Sequence, residues 1–188
     1  PSITVHDSIT RPSREAWAAF LDAPTGWVVD AQGRTGALPH WIKPITEKTR
    51  AVGPALTVRT RGRDNLAPYV ALNFAKPGDV LVIQTDAYSE ASVLGDVLFG
   101  MARNAGIVAV VTDGMVRDID GLNAVGIPLF AQGLSPNSPH KDGPGEIGGP
   151  VCLGNVAVNS GDLIVTDRDG VVVVTQHQLA AIAAELPS

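Results

Sequence analysis

The sequence predicts an α/β domain in which parallel strand–helix units are backed by a layer of short strands. Three observations carry that prediction. Two runs, Asp79-Val80-Leu81-Val82-Ile83-Gln84 and Ile107-Val108-Ala109-Val110-Val111, are β-branched and almost wholly apolar, as strands covered on both faces must be. A helical stretch lies between them, the alternation that builds a parallel sheet. Beyond Pro150 the chain changes to short strand patterns. With 188 residues, 45% of them hydrophobic, the chain can bury one substantial core, so a single compact domain over 1–188 is the economical organisation.

The elements follow in order. Ser13 is placed to cap an N-terminal helix, within about residues 10–25, whose Trp17, Phe20 and Leu21 share one face. A Pro/Gly-interrupted region leads to a strand at Ala55-Leu56-Thr57-Val58-Arg59-Thr60. Arg63 or Asn65 then starts a helix through Tyr69, Leu72 and Phe74, which stops before Pro77-Gly78. After the first apolar strand, a loop through Ala87 to Glu90 enters a helix that Gly106 ends. The second apolar strand is followed by an Asp113-Gly114 turn, a short helix from Asp118 to Val125 and a small strand at Pro128-Leu129-Phe130. Leu134 to Pro150 reads as a long loop, either a functional flap or an interface arm. Short strands follow at Val156-Ala157-Val158, Leu163-Ile164-Val165 and Val171 to Val174, with a turn at Arg168-Asp169-Gly170, and a helix closes the chain at about 178–186.

Composition narrows the function. The net charge is −5 and the only basic concentration is the Arg59, Arg61, Arg63 alternation, which reads as the solvent face of a strand end, so no nucleic-acid partner is expected. The one cysteine, Cys152, excludes an internal disulfide and a Cys-rich zinc site and is expected to be a buried structural thiol. His6, His40 and His177 lack metal-cluster spacing, and Trp17, Trp27 and Trp41 are expected to anchor the core or an interface. No run of about 18 apolar residues and no basic-then-apolar leader is present, so a cytoplasmic protein without a membrane partner is expected.

The spacing of Asp96 to the pair Arg117-Asp118 carries the chemistry. A helix from Gly95 to about Asn104 would run roughly 15 Å, and the following strand about 17–20 Å in the opposite direction. Arg117 and Asp118 therefore return beside the helix start formed by Gly95, Asp96, Val97 and Leu98. Unpaired amides and the positive end of the helix dipole there make a receptor for a carboxylate. An Arg fork can hold an oxo acid while a neighbouring Asp holds a hard divalent cation, a pairing suited to enolate chemistry. The same residues also have a structural reading: Asp96 favours its own helix start, and Arg-Asp neighbours are common on surfaces. His140 and Lys141 read as solvated loop residues rather than a lid, and Asp162, Asp167 and Asp169 as structural caps.

An ordered series of motifs goes further. Gly62-Arg63-Asp64-Asn65-Leu66, Pro77-Gly78-Asp79-Val80-Leu81-Val82, Leu94-Gly95-Asp96, Thr112 to Asp118, Gly149-Pro150-Val151 and Ser160-Gly161-Asp162 to Val171 resemble the RraA-like family over about residues 50–175. That family includes class II 4-hydroxy-4-methyl-2-oxoglutarate and 4-carboxy-4-hydroxy-2-oxoadipate aldolases. The resemblance implies an α/β/β sandwich related to swivelling phosphohistidine-type domains, assembled as homotrimers or homohexamers with sites at subunit boundaries. It implies metal-dependent cleavage of oxo acids that yield pyruvate, and oxaloacetate decarboxylation. Carried over by position, Asp118 binds Mg²⁺ or Mn²⁺ largely through waters, Arg117 holds pyruvate's oxygens, the amides from Gly95 through Val97 to Leu98 hold its carboxylate, and Asp96 orders a catalytic water.

Two departures narrow the resemblance. Aldolase members with tricarboxylate-derived substrates use an acidic residue from a neighbour's longer C-terminal region, which Glu185 does not obviously supply. Pro68-Tyr69 also stands where many relatives carry a His. Decarboxylation needs fewer groups and is the more economical expectation. Some relatives are non-enzymatic regulators of ribonuclease activity, which is the alternative expectation. A quinone methyltransferase label used for other relatives has no glycine-rich nucleotide fingerprint behind it here.

Overall fold

In the computed structural model residues 2–187 are described. The strands are β1 (Ile3–Val5), β2 (Lys43–Pro44), β3 (Ala51–Thr60), β4 (Val80–Gln84), β5 (Ser92–Leu94), β6 (Ala109–Thr112), β7 (Met115–Val116), β8 (Leu129–Ala131), β9 (Gly133–Leu134), β10 (Gly145–Ile147), β11 (Val151–Leu153), β12 (Val156–Val158), β13 (Leu163–Asp167) and β14 (Gly170–Val174). The helices are α1 (Arg14–Trp17), α2 (Thr25–Ala31), α3 (Leu66–Ala71), α4 (Asp96–Asn104), α5 (Ile119–Val125) and α6 (Leu179–Glu185). Ser13 sits at the start of α1, but its side chain makes no capping hydrogen bond.

The main sheet runs β1-β10-β3-β4-β6-β8-β2, with the β13–β14 pair joined to the first half of β3. Its centre, β3-β4-β6-β8, is parallel, as the apolar runs predict. Strand period puts successive side chains on opposite faces, and both faces are covered. Leu81, Ile83 and Val110 face a core with Leu98, Phe99 and Leu122 from α4 and α5, while Val80, Val82, Ala109 and Val111 face a second core with Val151, Leu153, Val158 and Ile164. The other side of β13–β14 is closed by Trp17, Phe20, Val28 and Leu179 of the N- and C-terminal helical segments. The architecture is therefore the mixed α/β arrangement of helices, sheet and second β layer that the sequence predicts.

Three expectations are corrected. The 134–150 segment is not a free loop: β10 lies within it and pairs with both β1 and β3. Cys152 is exposed, because Val151 and Leu153 take the inward positions of β11 and alternation turns Cys152 out. The core half of the expectation for Trp27 is corrected: it is 47% exposed, since Thr25 and Val28 are the residues of α2 that face inward.

Candidate functional site

A second, three-stranded parallel sheet, β5-β7-β9, builds the site. Leu94 pairs with Val116, and Val116 with Leu134, so the residues after each strand emerge side by side. After β5 comes Gly95 and the first turn of α4; after β7, Arg117 and Asp118; after β9, Ser135 to Lys141. The Arg117 amide donates to Leu94 O at 3.1 Å and the Ser135 amide to Val116 O at 2.9 Å, continuing the ladders into the site.

At the junction, the Asp96 amide donates to Asp118 Oδ2 at 3.2 Å. A side-chain carbon on Gly95 would collide with that same oxygen, so the close approach requires glycine. Asp118 itself has φ 69° and ψ 51°, a left-handed conformation that Asp tolerates better than most residues and that opens α5. Its carboxylate is 41% exposed, lies 3.9 Å from Arg117 Nε, and uses Oδ1 in no hydrogen bond among the described residues. The Asp96 side chain packs over Gly121, where any larger residue would overlap it. Arg117 Nη1 donates to Ser138 Oγ at 2.6 Å and Pro136 O at 3.2 Å.

These groups converge on a cavity of about 290 Å³ lined by Gly95, Asp96, Val97, Leu98, Arg117 and Asp118 together with Asn65, Tyr69, Ser92, Ser138, Pro139 and Lys141. The structure thus brings together all six sequence-predicted site residues. Gly95 is the residue before α4 rather than part of its first turn. Sequence reasoning missed the contribution of Asn65, Tyr69, Ser92 and Lys141. Asn65 and Tyr69 read only as helix residues, and for Lys141 the sequence favours a solvated loop over a lid on an anionic substrate; the signal was the Asp64-Asn65 pair, because Asp64 does the tethering. Its buried carboxylate accepts the amides of Leu66 at 3.0 Å, Asp142 at 2.6 Å and Gly143 at 3.0 Å, which pins the 140–143 turn against α3.

Other carboxylates are structural. Asp162 accepts the Asn159 and Gln176 amides, and Asp167 the Thr25 amide and hydroxyl and the Asp169 amide. Asp113 accepts from Thr85 and Ala87; burial pushes its carboxyl up, and those hydrogen bonds offset part of the effect. Glu185 does not line the cavity.

No group of three or more His, Cys, Asp or Glu poised for a metal exists among the described residues. A divalent cation at Asp118 would thus meet fewer than three such side chains, which would suit Mg²⁺ or Mn²⁺, hard ions of which the former characteristically keeps several waters, rather than a cation needing an all-protein cage.

Comparison with known proteins agrees with this architecture. A family model described as RraA-like, Aldolase/RraA, matches residues 17–173. A Halalkalibacterium halodurans protein provisionally named 4-hydroxy-4-methyl-2-oxoglutarate aldolase is 40% identical over 159 residues, covering 85% of this chain and 76% of that protein. The Thermus thermophilus RNA-processing inhibitor RraA superposes with a TM-score of 0.75 at 30% identity, covering 81% of this chain and 93% of the other. A Geobacillus kaustophilus structure described as S-adenosylmethionine:2-dimethylmenaquinone methyltransferase gives 0.74 at 30% identity, covering 84% and 98%. With the matched region spanning most of the chain and the same fold in its neighbours, the protein belongs to the RraA-like family.

Proposed function

We propose that the protein is a divalent-metal-dependent carbon–carbon lyase of the pyruvate class. It would cleave 4-hydroxy-2-oxo acids of the 4-hydroxy-4-methyl-2-oxoglutarate type, decarboxylate oxaloacetate, or do both. The observation that carries this reading is the convergence of Arg117, the start of α4 and the half-exposed Asp118 carboxylate on one cavity. The aldolase name of the relative at 40% identity supports it.

Both reactions break the bond between C3 and C4 and leave its electron pair on C3, so both need an enolate oxygen neutralised before the fragment departs. A Mg²⁺ or Mn²⁺ ion held by Asp118 would supply Lewis-acid stabilisation of that charge, an effect worth several kcal/mol. The Arg117 guanidinium would add a second positive charge at the 2-oxo oxygen. The amides of the Gly95–Leu98 turn would receive the C1 carboxylate, fixing the acid in one orientation. Asp96 would order the water that takes the hydroxyl proton in cleavage and returns one to C3.

A lactate-dehydrogenase-coupled assay tests this directly. Pyruvate release from oxaloacetate and from 4-hydroxy-2-oxo acids should require Mg²⁺ or Mn²⁺, stop with EDTA and disappear in Asp118→Ala. Absence of metal-dependent release would favour the alternative, a protein-binding regulator of ribonuclease activity. That alternative draws on the Thermus relative described as an RNA-processing inhibitor and on the net charge of −5, which suits a basic partner surface.

A further inference from the structure

We propose that a separate cleft, between α2 and the 37–42 segment, binds a short aliphatic dication, a diamine or its guanidino analogue. The cleft encloses about 420 Å³ and shares no lining residue with the cavity beside α4. Its walls divide by chemistry: Leu38, Ile42 and Val171 give an apolar floor, Trp27 an aromatic side, and Asp30 and Asp169 two carboxylates. Trp27 is the first observation. Thr25 and Val28 take the inward face of α2, and Asp167 fixes the helix start through the Thr25 amide and hydroxyl at 2.8 Å each, so the indole is held half-exposed beside the cleft. The space around it is open, because a Cβ on Gly26 or on Gly170 would meet no atom within 4 Å. An indole face beside an apolar cleft attracts a cation through the ring quadrupole.

The carboxylates are the second. Asp30 lies in the last turn of α2 and Asp169 in the turn between β13 and β14, so two separate elements bring them to one cleft. Asp167 and Asp162 nearby are tied to backbone amides, whereas the side chains of Asp30 and Asp169 have neither hydrogen-bond nor ion-pair partner among the described residues. Trp27 and Asp30 stand three residues apart on α2 and so share one face of it. A cation above the indole therefore also meets a carboxylate.

Third, the cleft turns away other kinds of ligand. The edge of β14 beside it is already taken: the Leu38 amide donates to Val171 O and the Val173 amide to Gly36 O, each at 2.9 Å, so an extended peptide has no free strand edge to join. A bare metal ion lacks a ligand set, since no group of three or more His, Cys, Asp or Glu is poised for one among the described residues. Two unpaired carboxylates in a chain of net charge −5 repel an anion. A cation with an apolar body meets all three conditions. One charged end lies against Trp27 and Asp30, the aliphatic chain covers Leu38, Ile42 and Val171, and the other end reaches Asp169.

Titration of the full chain with agmatine and with putrescine, followed by tryptophan emission and by calorimetry, tests the proposal without reference to pyruvate release. Trp17 is buried and Trp41 lines a different cleft, so the emission change should vanish in Trp27→Phe while calorimetry still detects binding. Both dications should bind at least about tenfold more tightly than 1,4-butanediol, the neutral counterpart of putrescine. Trp27→Ala should weaken them about threefold, and Asp30→Asn and Asp169→Asn about threefold each. Both carboxylates are exposed, so these variants should keep the wild-type melting temperature. Equal affinity for the diol, an equal response to MgCl₂ at matched ionic strength, or unchanged affinity in the Asp30→Asn, Asp169→Asn double variant overturns the proposal. So does acrylamide quenching that is the same in wild type and Trp27→Phe, because the indole would then be covered by a second copy of the chain.

Discussion

Gly95 shows how much of this site is set by single atoms. Its φ of −126° and ψ of −167° are open to any residue, so the requirement for glycine is one of space. A methyl group there would strike Asp118 Oδ2 and press on Arg117 Cγ, displacing the proposed metal carboxylate or the Asp96 amide that steadies it. Gly95→Ala should therefore lower pyruvate release by about 100-fold, the cost of an ångström-scale misplacement, while the melting temperature stays close to wild type. Unchanged turnover in the coupled assay would mean that the chemistry does not need the Asp118 position that Gly95 permits. The spacing of Asp96, Arg117 and Asp118 was visible in the sequence. The left-handed backbone of Asp118 was not, because nothing local distinguishes it from the ordinary helix-start aspartate it also is.

At the scale of elements, the long pieces were readable and the short ones were not. β4, β6 and α4 fall within a residue or two of the positions their apolar patterns indicate. β5, β7 and β9 have only two or three residues each, too few for a period of two to register, yet their pairing is what joins the three site loops. The carboxylate caps were legible, and one makes a quantitative prediction. Asp167 ties the first turn of α2 to the end of β13. Burial opposes its ionisation, but hydrogen bonds from Thr25 and Asp169 and the charge of Arg50 outweigh it and hold the carboxyl below its usual range. A depressed folded-state value means the contribution is present above the unfolded value of about 3.9 and lost as pH falls through the folded one. Asp167→Asn should cost about 1 kcal/mol at pH near 7, and the gap should close at pH near 2. Urea denaturation at the two pH values checks it, and a gap that persists in acid would assign the effect to packing instead.

Across the whole molecule, two apolar strand runs sufficed to foresee a sheet buried on both faces, and the β layer followed from the short strands beyond Pro150. Assembly is not encoded so openly. α4, which begins at the cavity, turns Val97 and Met101 outward at 66% and 44% exposure, an apolar edge of the kind that subunit contacts use. A homotrimer or homohexamer of 19.5 kDa protomers is expected by light scattering, with Met101→Glu shifting the population toward smaller species. A monomer at micromolar concentration would sink that expectation.

The pinned 134–150 stretch also has a practical side for anyone who engineers the protein. By composition it looks like the natural place for a tag or an inserted reporter. Yet cutting it would unstitch β10 from the sheet and release the Lys141 wall together with the Arg117 anchor. The Gly154-Asn155 bend between β11 and β12 is exposed and lies outside the cavity, and it is the better place to open the chain.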